Sequence, residues 1–228
     1  MQNEVKKVSL NHIADIYLYE YYVAGDQTYE LDTDDTLAEH LKKGHQLMDK
    51  ADYISALNEW LIALDCNPVC MEAYSGVIAC YKYLNDIEEE YKYTLKTYNY
   101  CCTRSELAAY YRNLGWYYLE KYQPVVAIAC YKYSNLFEKS ERAENEVAYL
   151  EAALKKSYKD MDTSQMQKIM TENEIPLKAN SITLALLYKA GSEALDMGNT
   201  KQAYDCFCMV YDLTQDEEIK KMIDACII

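Results

Sequence analysis

Apolar side chains return along this chain at the three- and four-residue spacing of a helix face, with polar residues filling the intervals. Val147, Leu150 and Leu154 share one such face, Met166, Ile169 and Met170 a second, and Ile219, Met222, Ile223 and Cys226 a third. The pattern predicts helices over most of the sequence. Residues 1–35 are ambiguous. Val5, Val8, Ile13, Ile16 and Glu20 suit a helix that caps one end of the molecule, whereas Ile16 to Val23 is aromatic and β-branched enough for a strand. Helix is the favoured reading, with Gly25 to Asp35 as a polar, acidic linker.

The same residue types also come back at fixed longer separations. Gly44 is followed by Ala56 and Trp60, Gly115 by Ala127 and Tyr131, and Gly191 by Ala203 and Phe207, with identical offsets in each set. Two antiparallel helices approach closely only where both present small side chains, and an aromatic ring one turn beyond the alanine fills the space beside that contact. Turn signals separate the helices of each pair: Lys50-Ala51-Asp52, Asn85-Asp86, Tyr122-Gln123-Pro124 and Gly198-Asn199-Thr200. Gly198 suits a left-handed cap, and Asn199 or Thr200 is placed to accept from the free amides of the next helix.

These residues resemble the tetratricopeptide repeat, whose period is about 34 residues, with a small residue in the first helix, an alanine early in the second, an aromatic one turn later and a closing proline. Thr36 to Val69 carries Gly44, Leu47, Ala56, Trp60, Ala63 and Pro68 in those places. Cys70 to Ser105 is a degenerate copy: Tyr74, Val77 and Tyr81 are kept, but Ile78 stands where glycine is usual and Glu90 where alanine is usual. Glu106 to Lys139 restores the pattern through Tyr111, Leu114, Gly115, Tyr118, Ala127 and Tyr131, and Ser181 to Thr214 through Leu187, Gly191, Ala194, Ala203, Phe207 and Val210. The organisation implied is an N-terminal extension (1–35), three repeats (36–140), a divergent helical pair (141–180), and a final repeat with a capping helix (181–228). The fold implied is all-α, a right-handed superhelix of antiparallel helix pairs.

Composition narrows the partners. Six glycines and three prolines in 228 residues argue against a turn-rich fold. A formal charge of −14 repels phosphate backbones and anionic lipid surfaces, so neither nucleic acid nor membrane is an expected partner. No apolar run reaches the ~20 residues of a membrane span, and the N-terminus lacks a signal-peptide pattern. Nine cysteines, an odd number, sit mostly within apolar helical patterns, as small core residues of a reducing compartment do. A cytoplasmic location is expected.

Catalytic motifs are missing. His12, His40 and His45 do not stand at the four-residue spacing that aims two imidazoles at one metal. Cys101-Cys102 and Cys206-x-Cys208 have no second pair at ligand spacing. Carboxylate runs such as Glu88-Glu89-Glu90 read as solvated faces. No metal, cofactor or enzymatic activity is expected.

The resemblance implies a concave groove lined by the first helix of each repeat. Carried onto this sequence, the groove presents Leu41, His45 and Met48, then Ser75, Ala79 and Lys82, then Arg112, Asn113 and Trp116, and finally Tyr188, Lys189 and Ser192. Relatives that grip acidic chaperone tails use lysine, asparagine and arginine there, and Leu41 and His45 leave that clamp incomplete. Tyrosine is in excess, 25 against two phenylalanines. Tyr83, Tyr93 and Tyr100 fall off the buried stripe, as contact tyrosines do. The expected function is a protein–protein interaction module or adaptor holding a peptide or partner helix, with homodimerisation through the apolar tail Ile227-Ile228 as a further expectation. The alternative is a peptide-sensing regulatory protein that acts through a partner, since 35 residues are too few for a DNA-binding domain.

Overall fold

The computed structural model describes residues 5–227 and is predominantly helical. Four helical hairpins form most of it: α2 (Thr36–Asp49) with α3 (Tyr53–Cys66), α4 (Met71–Leu84) with α5 (Ile87–Thr97), α6 (Arg104–Glu120) with α7 (Pro124–Ser134), and α10 (Ser181–Asp196) with α11 (Thr200–Thr214). Between the third and fourth hairpins lie α8 (Glu141–Leu154) and α9 (Thr163–Glu172), and α12 (Glu217–Ala225) follows α11. Consecutive helices pack on one another from α2 to α8.

One turn geometry closes all four hairpins. Ala51, Asn85, Tyr122 and Gly198 each adopt a left-handed backbone, with φ of 56°, 58°, 56° and 78°. The next residue then donates its N–H to a carbonyl in the last turn of the helix just ended: Asp52 to Leu47, Asp86 to Tyr81, Gln123 to Tyr118 and Asn199 to Ala194, at 2.8–3.0 Å. This satisfies carbonyls that a helix end leaves free. The residue that donates also opens the following helix. Asp52, Asp86 and Asn199 accept from the amides of Ser55, Glu89 and Gln202, while Gln123 is followed by Pro124, which has no amide to satisfy.

Each glycine of the repeat meets the aromatic ring of its own set. A Cβ on Gly115 would stand 2.8 Å from Tyr131, and one on Gly191 2.8 Å from Phe207. Trp60 is gripped from two sides, since a Cβ on Gly44 would come within 2.6 Å of the indole and one on Gly76 within 2.3 Å. Ala56, Ala127 and Ala203 are fully buried beside these rings. In the degenerate second hairpin Ile78 is buried, and the close approach moves to Gly76 and the ring of the preceding hairpin.

The N-terminal segment departs from a single capping helix. Residues Lys6–Val8 form a strand, β1, whose Lys6, Lys7 and Val8 pair in parallel with Tyr29, Glu30 and Leu31 of a second strand, β2, within the expected linker. Val8 is completely buried, and Ser9 N–H anchors the strand to the Cys66 carbonyl at 2.8 Å. Between the strands runs α1 (Ile13–Tyr19), extended by a π-helical turn over Glu20–Ala24, so the helix reading of Ile16 to Val23 stands.

Helix α1 packs on α10. Tyr17 donates to Glu193, and the Tyr22 and Thr183 hydroxyls meet at 3.0 Å. As a result the final hairpin shares a hydrophobic core with α1 to α4, while α6 to α9 enclose a second core. The chain order is thus interleaved. The segment 141–180 is not a self-packed pair either, because α8 and α9 each rest on α7.

Tyrosine hydroxyls hold the crossing between the two cores. Tyr111 donates to the Pro176 carbonyl at 2.8 Å, Tyr133 to Leu177 at 2.8 Å and Tyr98 to Lys178 at 2.9 Å. Phenylalanine would fill the same volume but strip the partly buried Pro176 and Leu177 carbonyls of their partner and leave that of Lys178 to water. Tyr100 corrects the expectation of an exposed ring: it lies beyond the end of α5, is buried, and meets Tyr22 edge-on. Tyr93 is half-buried near Tyr74 and Tyr81, whereas Tyr83 is 62% exposed and stacks on Tyr53. Helix α12 lays Ile219, Met222, Ile223 and Cys226 on the first core. Ile227 beyond it is exposed, and Ile228 of the expected dimerising tail lies outside the described residues. Among the described residues no helix is long and apolar enough to cross a membrane.

Candidate functional site

The sequence-derived candidates divide by location. Four of them, Lys82 on α4 and Arg112, Asn113 and Trp116 on α6, line one cavity of about 190 Å³, which Tyr131 of α7 and Arg142 and Glu146 of α8 complete. The cavity exists because α6 presents residues 112, 113 and 116 on one side while burying Tyr111, Leu114, Gly115 and Tyr118 on the other.

The remaining candidates lie elsewhere. Leu41 and Met48 are half-buried against the first core, where Met48 Sδ is 3.4 Å from Cys80 Sγ. His45 sets its ring edge-on to Trp60 at 4.7 Å and pairs with Glu72 at 2.7 Å. Ser75 donates to its own helix at Met71, and Ala79 is partly covered. On α10, Lys189 stands over the Tyr17 ring of α1 at 5.5 Å, Ser192 bonds back to the Tyr188 carbonyl, and Tyr188 is 43% exposed. The interleaved order sets α10 against α1, and its residues line no part of the cavity at α6.

Within the cavity wall Lys82 makes several contacts at once. Its Nζ donates to Asn113 Oδ1 at 2.7 Å and lies 5.3 Å from the centre of the Trp116 ring, a cation–π arrangement. It also forms an ion pair with Glu90 Oε1 at 3.5 Å. Arg112 pairs with Glu138 at 3.0 Å, and Ser105 and Arg112 together hold the Glu138 carboxyl below the usual carboxylate range.

Glu90 is the residue that sequence reasoning misassigned. It belongs to an acidic run expected to be solvated, yet its side chain is 0% exposed, while Glu88 and Glu89 reach solvent. Thr94, equally buried one turn later, donates to Glu90 Oε1 at 3.1 Å. The second hairpin therefore places an acid and a hydroxyl where the first sets Ala56 and Trp60 and the third sets Ala127 and Tyr131. Burial pushes the Glu90 carboxyl up, against the opposing pull of Lys82, and pushes the Lys82 ammonium down, against the pull of Glu90. The available signal was the alanine-to-glutamate departure itself: an ionisable group at a core position needs a partner, and Lys82 is the cation one helix away.

Elsewhere the chemistry is quiet. The thiols of Cys101, Cys102 and Cys130 are buried, and burial pushes each of them up, so all three stay protonated. Among the described residues no group of three His, Cys, Asp or Glu side chains converges in a way that would hold a metal ion. Neither the protein-family models nor the curated proteins match this chain.

Proposed function

We propose that this chain is a tetratricopeptide-like superhelix and works as an interaction module that holds a peptide or partner helix, with the cavity at α4, α6 and α8 as its anchoring point. The observation that carries the reading is the convergence of Lys82, Arg112, Asn113 and Trp116, four of the residues that the resemblance assigns to the groove, on that single cavity. Its chemistry suits polypeptide. Trp116 offers a flat apolar face, and the guanidinium of Arg112 and the amide of Asn113 supply directional donors for a carboxylate or a backbone carbonyl. A volume of about 190 Å³ admits one side chain and not a drug-sized molecule, which suits a single anchoring residue of a longer ligand.

The test is titration of the purified protein against a panel of peptides, read by anisotropy. Binding that weakens about tenfold or more in Trp116→Ala and Arg112→Ala supports this face as the contact. Peptide binding that survives both substitutions places the contact elsewhere and removes the reading.

A further inference from the structure

The cavity is opposite in charge to the chain around it. Against a formal −14 overall, its wall presents Lys82, Arg112 and Arg142 with one carboxylate, Glu146. Two of these cations already hold carboxylates that are not part of the wall. Glu138, the partner of Arg112, is 44% exposed and belongs to the surface. Glu90, the partner of Lys82, is fully enclosed, and its Oε2 has no hydrogen-bond partner among the described residues.

An alanine fills the corresponding place in the other hairpins, so packing does not call for a carboxylate there. Enclosing one is costly, and the cost is only partly returned by a single ion pair and a threonine hydroxyl. What Glu90 accomplishes is to neutralise Lys82 from behind the wall, while Lys82, 21% exposed, still reaches the cavity. Among the described residues Arg142 has no enclosed carboxylate as a partner.

We propose that the cavity takes the anionic group of a bound polypeptide, a side-chain carboxylate or phosphate monoester, and that Glu90 is a built-in competitor which gives up Lys82 by taking a proton as the anion enters. This rests on the reading of the face as a polypeptide-binding surface. The exchange is balanced: one proton passes from a solvent or buffer acid to Glu90, whose O–H bond forms as the donor's breaks, the entering anion replaces the Glu90 carboxylate as counter-ion of Lys82, and no other covalent bond changes. Glu90 faces Lys82 from α4 and the Thr94 hydroxyl of its own helix, with Tyr131 from α7 close by, and around Lys82 and the cavity stand Arg112 from α6 and Arg142 and Glu146 from α8. Cations dominate this set, so an anion is accommodated once Glu90 is neutral. Burial already biases Glu90 toward its protonated form, so the exchange lies within reach near neutral pH.

The experiment uses glutarate and inorganic phosphate as probes, with the neutral glutaramide as control, on the full chain. Occupancy is read from Trp116 fluorescence, assigned by its loss in Trp116→Phe. Proton exchange is read by calorimetry in two buffers of different ionisation enthalpy. Expected are binding of at least one anion but not glutaramide, proton uptake on binding, and roughly tenfold tighter glutarate binding at pH 6 than at pH 8. Glu90→Gln is expected to bind about tenfold tighter than wild type at pH 8 with no proton uptake, and Arg142→Ala about tenfold more weakly. Tighter glutarate points to an acidic side chain and tighter phosphate to a phosphorylated one.

Failure of both anions to bind overturns the proposal, as does binding without proton uptake. Should Glu90→Gln not fold, the proton count on wild type decides. Peptides that need Trp116 and Arg112 but are indifferent to their own acidic residues would defeat this inference and leave the groove standing. Anions that bind with proton uptake while no peptide does would do the reverse.

Discussion

The carboxylate of Glu90 stands 3.5 Å from the ammonium of Lys82, and the two differ in access to water: Glu90 is 0% exposed and Lys82 21%. That asymmetry decides what each substitution does. Lys82→Met strands an enclosed charge and is expected to cost about 2–4 kcal/mol at pH 8. Glu90→Gln leaves an ammonium that turns its stem into the cavity and keeps its head wet, so its cost is expected within about 1 kcal/mol of zero. The double substitution should recover most of the Lys82→Met loss. Urea denaturation of the four proteins gives the cycle, and equal costs for the two single variants would contradict the asymmetry.

The same pair sets a pH dependence whose sign follows from the two directions. Burial raises the Glu90 carboxyl above 4.5 in the folded state, so its contribution favours folding below that value and is lost as pH rises through the raised one. Burial lowers the Lys82 ammonium below 10.5, so its contribution favours folding above that value and is lost as pH falls through the lowered one. The site therefore weakens the wild type most in the interval between the two shifted values. Glu90→Gln should gain stability relative to wild type as pH rises from about 5 to about 8, by about 1 kcal/mol or more. Thermal melts at matched ionic strength check this, and a pH-independent difference would refute it.

How the rings sit on glycine makes a further comparison possible. Trp60 is flanked on both sides, so an added methyl at Gly76, 2.3 Å from the indole, has no slack to push into. Gly76→Ala is expected to cost about 3 kcal/mol, and Gly115→Ala, whose methyl would lie 2.8 Å from one Tyr131 ring atom, about 1–3 kcal/mol. Gly198→Ala meets nothing within 4 Å and pays only for its φ of 78°, about 1 kcal/mol. Pairing Gly76→Ala with Trp60→Leu should return part of the loss, and additive costs in that pair would show that the ring is not what the methyl meets.

These glycine–ring contacts mark how far the sequence alone was legible. Gly44, Gly115 and Gly191 announced the hairpins because a close helix approach demands a small residue and a ring at set distances. Ile78 stands where glycine is usual and marked the second copy as degenerate, and the structure shows the contact moved by two residues and one hairpin, to Gly76 and Trp60, which a within-repeat comparison does not see. The three-residue strands β1 and β2 left no period to detect. The placing of α10 on α1 was hidden for a different reason. Repeat spacing describes each hairpin internally and says nothing about which other element covers its outer face. Glu90 was visible as an exception but was weighed as one more acidic residue of a run, because burial is a property of the folded neighbours.

Tyrosine supplies its own test. Tyr111 and Tyr133 are buried, and each donates to a carbonyl of the crossing segment at 2.8 Å. Replacing either by phenylalanine keeps the ring and orphans the carbonyl, with an expected cost of about 1–2 kcal/mol. Tyr98→Phe, whose bond to Lys178 is solvent-exposed, should cost less than about 0.5 kcal/mol because water takes the place of the hydroxyl. Calorimetric melts rank the three, and equal effects would mean that the excess of tyrosine over phenylalanine has no role in holding this segment.

Leu18 joins the two ends of the chain. It is 2% exposed on α1, in the core shared by α2 to α4 and the final hairpin. Leu18→Ala should cost about 2–4 kcal/mol through the cavity it leaves. The distribution of that loss is more informative than its size. Because α6 to α9 enclose a separate core, their amides should keep most of their protection against hydrogen exchange, whereas those of α10, which has α1 as its cover, and of α11 paired with it should exchange about tenfold or more faster. Local opening of α10 and α11 would follow from α1 covering α10, on which α11 packs. A uniform rise in exchange over all helices would mean instead that the two cores unfold as one unit, and that the N-terminal helix stabilises the whole chain rather than the hairpin it touches.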